Sequence, residues 1–169
     1  MNLSTDQRAY LFYTLAQVYS VIGNSDNDLV NHYYDLAEAE TQKPDFAETR
    51  IKGNILFGRT NLFIPFTDSE LFDIQELQPS QADSLRKAAA MTEESMNYMQ
   101  SCMQYVTLSL LYSLLAEMNQ SRQYIQKALE TVSGNSEWSG AVSYVCADGI
   151  AAADGATFPV LPSKEKNPS

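Results

Sequence analysis

The sequence predicts an all-α protein built from antiparallel helical hairpins with one long central helix. Strand signals are almost absent along the chain. The segment Ser80–Ser133 contains neither glycine nor proline, and Pro79 and Gly134 bracket it. Within its first half, small or apolar residues recur at steps of four and three, as helix packing in a bundle or coiled coil requires. These residues are Leu85, Ala89, Thr92, Met96, Met99, Met103, Val106 and Leu110.

The length and the cysteine usage predict one intracellular domain. A chain of 169 residues can bury a core without disulfides or a structural metal. We expect a single helical domain over residues 1–155 and a non-helical, frayed tail over residues 156–169, where Pro159 and Pro162 exclude a helix. Cys102 and Cys146 both lie in apolar context, and no signal-peptide pattern opens the sequence. We therefore expect a reduced, cytoplasmic protein.

The charge balance excludes some classes of partner. The chain has 21 acidic and 11 basic side chains and a formal charge of −10, which repels nucleic-acid phosphates. We therefore expect no nucleic-acid partner.

The longest strongly apolar run, Tyr105–Met118, covers roughly 14 residues, whereas a bilayer crossing requires about 20. No membrane span is expected.

Helix starts in the first third of the chain are marked by Ser or Asp followed three residues later by a side chain that can reach the free backbone amides. Ser4 and Gln7 form one such pair. The three predicted helices are Ser4 to about Ile22, Ser25 to Gln42, and Asp45 to Gly53 or Phe57.

The middle of the chain contains an aromatic-rich connection, Phe57–Phe66, followed by a capping box at Thr67–Glu70 that opens a short helix to about Leu77. Gly58 and Pro65 argue against a regular helix in the connection. We expect its apolar side chains to tuck under the bundle, because monomers rarely leave such patches in water. The alternative is an exposed contact patch.

Three further helices are expected in the second half, with a turn near Asn119–Gln120 and a break at Gly134: Ser80 to about Met118, then a helix to about Val132, then Glu137–Ala153. A straight helix over the first of these would be about 58 Å long, against a radius of gyration of about 15 Å for a compact domain of this size. The chain is therefore elongated, or the helix bends, or a second copy covers its end. The last option would be a homodimer through the Leu85–Leu110 stripe.

Two segments share an order of large, small and aromatic residues. In the later segment they are Leu108, Ser109, Leu110, Leu111, Tyr112, Ala116, Ser121, Ile125, Ala128 and Leu129. In the earlier segment they are Leu15, Ala16, Tyr19, Gly23, Val30, Tyr34, Ala37 and Pro44. This order resembles the tetratricopeptide repeat over about a third of the chain. The alternative to a divergent repeat fold is a plain helical bundle.

The resemblance implies a protein- or peptide-binding groove lined by the first helix of each pair. Its lining positions would be Tyr10, Tyr13, Gln17 and Ser20 in the earlier segment and Met103, Val106, Leu110 and Leu114 in the later one. The Lys, Arg and Asn of the family's carboxylate clamp are missing there, so recognition of a free C-terminal carboxylate is not implied. Tyrosines and adaptable methionines suit an apolar or amphipathic segment. Core packing explains the later set equally well.

The sequence lacks the side-chain patterns of catalytic and metal sites. The single histidine, His32, has Leu29 where a Glu-x-x-His metal pair requires Glu. Neither Cys102 nor Cys146 lies in a nucleophile motif. No catalytic residue, metal or cofactor is therefore predicted.

We predict a non-enzymatic module that binds a protein partner, acting as an adaptor, chaperone or inhibitor. One alternative is a self-associating structural bundle. Another is a small-molecule-binding bundle whose aromatic pocket is formed by Tyr10, Tyr13, Tyr33, Tyr34 and Trp138.

Overall fold

The computed structural model describes residues 3–22, 27–65 and 76–132, and this part of the chain is helical without a strand. The all-α prediction is confirmed. The α-helices within these ranges are α1 (Thr5–Ile22), α2 (Asn27–Thr41), α3 (Arg50–Thr60), α4 (Pro79–Ser95), α5 (Cys102–Leu114) and α6 (Met118–Val132). The expected capping box Thr67–Glu70, the last helix Glu137–Ala153 and the tail 156–169 lie outside the described residues.

The most extensive helix contacts join consecutive helices: α1 with α2, α3 with α4, and α5 with α6. Helix α3 also contacts α1 and α2, and α4 contacts α5. One buried cluster lies between α1, α2 and α3 around Ala16, Tyr34 and Ile55. A second joins α4 and α5 through Leu85 and Leu108. The core is therefore a row of clusters along the chain.

The predicted capping box at the start of α1 is confirmed. The Ser4 backbone amide donates to Gln7 Oε1 at 2.9 Å, and the Gln7 amide donates to Ser4 Oγ at 3.2 Å. Two of the amides left without helical partners are satisfied in this way. The helix ends at Ile22, as predicted.

Helix α3 begins later than the sequence predicted, at Arg50 rather than Asp45. The Asp45 carboxylate accepts a hydrogen bond from Thr5 Oγ1 at 2.5 Å instead of capping its own helix. The amides of Ala47 and Glu48 donate to Asp6 Oδ1 at 3.0 and 3.1 Å. Side chains of α1 therefore hold in place the segment 45–48 that precedes α3. The local sequence around α3 does not reveal these contacts.

The Phe57–Phe66 connection is more helical than predicted. Helix α3 continues through Gly58 to Thr60, and a 3₁₀ turn follows at Asn61–Phe63. A Cβ at Gly58 would meet Tyr34 Oη and lie 2.6 Å from Gln17 Nε2, so glycine allows α3 to approach α1 and α2. Three apolar side chains of the connection pack against the buried clusters, as expected: Leu62, Phe63 and Ile64.

The prediction of a single long central helix is wrong, because α4 ends at Ser95 and α5 begins at Cys102. Ser101 has extended backbone at φ −143° and ψ 155°, and it caps α5 through a capping box with Gln104. Gln104 is fully buried and also donates to Ser95 Oγ. Side-chain hydrogen bonds therefore stabilise the chain on both sides of the break, and the break needs neither glycine nor proline.

This break also divides the Leu85–Leu110 stripe. Leu85, Ala89 and Thr92 are buried within the chain, whereas Met103 and Leu110 are exposed. The stripe is not one continuous surface. A homodimer through its whole length is therefore not available to the folded protein.

The turn between α5 and α6 lies at Leu115–Glu117, a few residues before the predicted Asn119–Gln120. The Glu117 amide donates to the Tyr112 carbonyl at 2.8 Å, and the Ala116 amide donates to the Ser113 carbonyl at 3.0 Å. These two bonds form a Schellman motif, in which glycine is usual at the left-handed position. Ala116 occupies that position with φ 59°.

Ala116→Gly should therefore stabilise the protein by about 1 kcal/mol, because it relieves a left-handed alanine. Ala90→Gly is the matched control, since Ala90 is an exposed helical residue of α4. It should lose about 1 kcal/mol. Urea unfolding followed by circular dichroism measures both. Destabilisation by both substitutions would contradict the strain at Ala116.

Gly58→Ala should destabilise the protein by about 2 kcal/mol through overpacking, although glycine-to-alanine changes in helices normally stabilise. Tyr34→Phe removes the hydroxyl that the new Cβ would meet. The double variant should therefore lose less than the sum of the two single losses. A gain in unfolding free energy for Gly58→Ala alone would refute the close approach.

Candidate functional site

The four groove positions predicted on α1 differ in accessibility. Tyr10 is 57% exposed, and Ser20 is also exposed. Tyr13 is half-buried, with its ring centroid 6.2 Å from that of Tyr10. Burial and the neighbouring Tyr10 raise the pKa of the Tyr13 hydroxyl. Tyr10 is thus the most accessible aromatic group of the predicted set.

Gln17, the fourth position, belongs to the packing between helices. Its Nε2 donates to Tyr34 Oη, and the Tyr34 side chain is buried between α1, α2 and α3. Burial raises the pKa of Tyr34 to about 12. The Arg59 guanidinium lies 5.6 Å from the Tyr34 ring centroid and forms ion pairs with Asp35 and Glu38. The Gln17 amide therefore joins α1 to α2 and is not free to bind a partner.

An open cleft of about 510 Å³ lies between the start of α1 and the start of α3. Of its apolar lining residues, Tyr10 is exposed, whereas Ile51 is 95% buried. Its polar lining consists of Asp6, Gln7, Glu48, Arg50 and Asn54. The Asp6 carboxylate holds one wall in place, since Asp6 Oδ1 accepts from the amides of Ala47 and Glu48.

The sequence identified one side of this cleft and missed the other. Tyr10 was predicted, but the α3 residues Ile51 and Asn54 were not. These two residues could have been predicted only if the position of α3 beside α1 were known. That position depends on the contact between Asp6 and the 42–49 connection. That contact spans 41 or 42 positions of sequence.

The four positions predicted on α5 form a separate face. Met103 is 57% and Leu110 43% exposed, and Val106 and Leu114 are half-buried. Their spacing places them on one stripe of the helix. None of them lines the α1–α3 cleft. The eight predicted residues are therefore not brought together in one cavity.

A charged cluster ties the start of α1 to the end of α2 beside this cleft. Arg8 Nε donates to Glu40 Oε2 at 2.8 Å, and Lys43 Nζ donates to Glu40 Oε1 at 2.6 Å. Lys43, and then Arg8, hold the pKa of the Glu40 carboxyl below its usual value, although burial opposes them. Only 8% of Glu40 is exposed, so this carboxylate is neutralised inside the fold.

Three tyrosines and one carboxylate form a second cluster, on α4, α5 and α6, which the sequence did not reveal. The Tyr112 and Tyr124 rings stack at 5.7 Å, and both hydroxyls donate to Glu93 Oε1 at 2.8 Å. Tyr105 stacks on Tyr124 at 6.4 Å. Burial, followed by the bond to Glu93, raises the pKa of Tyr112 to about 12 and also raises that of Tyr124. The cluster joins three helices and keeps the Tyr112 and Tyr124 hydroxyls protonated.

Within residues 3–22, 27–65 and 76–132, the histidine and the cysteine lie on different helices, α2 and α5. His32 is exposed on α2, with its ring edge against Tyr33 at 5.6 Å. The Cys102 thiol lies 3.8 Å from the Ala128 carbonyl on α6, and burial raises its pKa. A raised pKa keeps the thiol protonated, whereas nucleophilic cysteines require the thiolate. Cys146 and Trp138 lie outside the described residues.

Two of the tyrosines in the aromatic pocket predicted from the sequence are engaged inside the fold. Tyr34 is buried in the core, and Tyr33 stacks on Tyr19 at 5.2 Å. A smaller cavity of about 120 Å³ lies elsewhere, between the end of α2, α3 and the end of α4. Ile55, Leu56 and Tyr98 contribute to its wall.

No known protein family, curated protein or solved structure matches the chain. Within the described ranges, no helix is both long enough and apolar enough to span a bilayer.

Glu40→Gln should cost about 1 kcal/mol at pH 7, because it weakens two charge-assisted bonds whose cations are partly exposed. The folded-state pKa of Glu40 is lowered. Its contribution is therefore complete above the unfolded-state pKa of about 4.3 and is lost as the pH falls through the folded-state pKa. Urea unfolding at pH 7 and at pH 3 should therefore show a smaller difference from wild type at pH 3 than at pH 7.

Glu94→Gln is the matched control, since Glu94 is exposed on α4. It should change the unfolding free energy by less than about 0.5 kcal/mol. A loss for Glu40→Gln that persists undiminished at pH 3 would show that the charge of Glu40 is not its cause.

Proposed function

We propose that this chain is a non-enzymatic module that binds an apolar or amphipathic segment of a partner protein in the cleft between α1 and α3. The observation that carries the proposal is the exposure of Tyr10 beside Ile51 in an open cleft of about 510 Å³. Tyrosine is enriched among residues that dominate binding energy, because it buries a large surface and can also form a hydrogen bond.

The composition of the cleft supports recognition of a protein segment. The apolar surface of Tyr10 is bordered by polar groups of Gln7, Arg50 and Asn54. Protein interfaces commonly combine an apolar centre with a polar rim. An apolar side chain of the partner would bind at the centre, and its backbone or polar side chains would bind the rim.

The order of helix contacts supports the resemblance to tetratricopeptide repeats. The pairs α1–α2, α3–α4 and α5–α6 follow one another along the chain, and the first helices α1 and α3 contact each other. In such a repeat fold, a groove would continue from the α1–α3 cleft to the first helix of the third pair. Met103, Val106, Leu110 and Leu114 would extend it along α5.

The state of the reactive groups supports a binding role over catalysis. The Cys102 thiol has a raised pKa, and the tyrosines around Glu93 remain protonated. Activated nucleophiles and bases have pKa values shifted towards the working pH instead. These groups stabilise contacts between helices.

Tyr10→Ala should weaken binding of a selected peptide by tenfold or more, about 1.4 kcal/mol, because it removes the aromatic anchor of the cleft. Peptides would be selected against the wild-type protein from a random display library, and affinities measured by calorimetry. Tyr19→Ala is the control, since Tyr19 lies on the same helix and does not line the cleft. It should change the affinity by less than twofold.

Two results would contradict the proposal. One is failure of the library to yield any saturable binder. The other is equal loss of affinity in the Tyr10 and Tyr19 variants. Amide chemical-shift changes that map to Tyr10, Ile51 and Asn54 on addition of the peptide would support the cleft as the site.

A further inference from the structure

The accessible surface of the α1–α3 cleft combines one aromatic ring with charged groups. Tyr10 is 57% exposed, whereas the other apolar lining residue, Ile51, is only 5% exposed. The charged lining residues are Asp6, Glu48 and Arg50. A partner that enters the cleft therefore meets the Tyr10 ring and these charges together.

The two carboxylates of this lining, those of Asp6 and Glu48, are bonded to backbone amides. Asp6 Oδ1 accepts from the amides of Ala47 and Glu48 at 3.0 and 3.1 Å. Glu48 Oε1 accepts from the Arg50 amide at 3.3 Å. Within residues 3–22, 27–65 and 76–132, no Lys or Arg side chain forms an ion pair with either carboxylate.

The charged cluster beside the cleft differs in this respect. There the Glu40 carboxylate pairs with Arg8 at 2.8 Å and with Lys43 at 2.6 Å. Glu40 is therefore neutralised by cations of the described fold. Asp6 and Glu48 are not, and their charges are available to a cation from outside.

The position of the two carboxylates relative to the ring matches one kind of side chain. Asp6 and Tyr10 are four positions apart on α1, so they share a face of this helix. Glu48 borders the cleft from the segment that precedes α3. Lys and Arg combine an apolar stem with a charged end, and their cations are also attracted to tyrosine rings.

We propose that the segment bound in the α1–α3 cleft is amphipathic and basic. An apolar side chain of this segment contacts Tyr10, and a Lys or Arg next to it pairs with Glu48 and Asp6. The basic character of the segment rests on the proposed function, because it specifies the chemistry of what the cleft binds.

The charge of the whole chain favours the same partner. A formal charge of −10 attracts a cationic segment and repels an acidic one, which acts mainly on the association rate. It also repels a second copy of the chain. Within the cleft, the carboxylates of Asp6 and Glu48 outnumber the guanidinium of Arg50. An acidic segment that paired with Arg50 would meet both repulsions.

Arg50 has a role that is compatible with a basic partner. Its side chain is exposed at the rim of the cleft. A guanidinium has several N–H donors and no acceptor. It can therefore donate to carbonyl oxygens of the partner backbone without requiring an acidic side chain.

Peptides selected from a random display library against the full wild-type chain test the charge of the partner. The binders should carry a Lys or Arg beside an apolar residue more often than unselected library members do. Replacing that basic residue by norleucine keeps an apolar stem and removes the charge. Calorimetry should show an affinity about fivefold weaker for the norleucine peptide.

Glu48→Gln should weaken binding of the basic peptide about threefold, since Asp6 retains part of the attraction. The norleucine peptide should bind this variant and the wild type equally, because its pair with Glu48 is already lost. Glu94→Gln is the matched control: it removes the same charge from an exposed position of α4 that does not line the cleft. It should change the affinity for the basic peptide by less than twofold.

The outcomes distinguish a basic segment from peptide binding in general. Failure to select a saturable binder, or binders that Tyr10→Ala leaves unaffected, would overturn both. Binders that require Tyr10 but show no excess of Lys or Arg, or that bind as tightly with norleucine, would overturn the basic segment alone. Equal losses in Glu48→Gln and Glu94→Gln would do the same. Peptides that bind only after Lys164→Glu and Lys166→Glu would assign the cleft to basic residues of the chain itself and overturn a separate partner.

Discussion

The fold depends on how closely α3 can approach the helices on both of its sides. Towards α1 and α2, Gly58 faces Tyr34 and Gln17, where a side chain would collide. Towards α4, a Cβ at Gly53 would lie 2.6 Å from Met99 Cγ and 3.1 Å from the Ser95 carbonyl. Thr60 and Thr92, both fully buried, join α3 to α4 by a hydrogen bond of 3.0 Å. Because α3 is fixed on both sides, the position of α1 relative to the rest of the protein is fixed, and with it the α1–α3 cleft.

Features that depend on a few consecutive residues could be predicted from the sequence. The Ser4–Gln7 capping box and the end of α1 are local, and both were predicted correctly. The break between α4 and α5 was missed, although the capping box of Ser101 and Gln104 is as local as that of Ser4 and Gln7. The hydrogen bond from Gln104 to Ser95, which crosses the break, depends on the packing of the two helices. The glycines of α3 were interpreted as helix breakers, since sequence alone does not show whether a neighbouring helix requires the space.

The candidate site was predictable to a similar extent. A resemblance over short segments identified Tyr10, whose exposure depends mainly on its own helix. It also identified Gln17, whose amide is engaged by Tyr34, a contact that depends on a second helix. The α3 wall of the cleft could not be predicted, because Asp6 positions it through amides about forty residues away in the sequence.

The pairing of consecutive helices has a consequence for how the chain folds. Most helix contacts join elements that follow one another, so contact order is low and the entropy lost on closing each loop is small. Chains with such local topology reach the native state quickly. The central polar contacts, from Thr60 to Thr92 and from Ser95 to Gln104, join neighbouring pairs and make their folding cooperative. Among the described helices, unravelling should therefore start at α1 or α6, which lie at the two ends of the row.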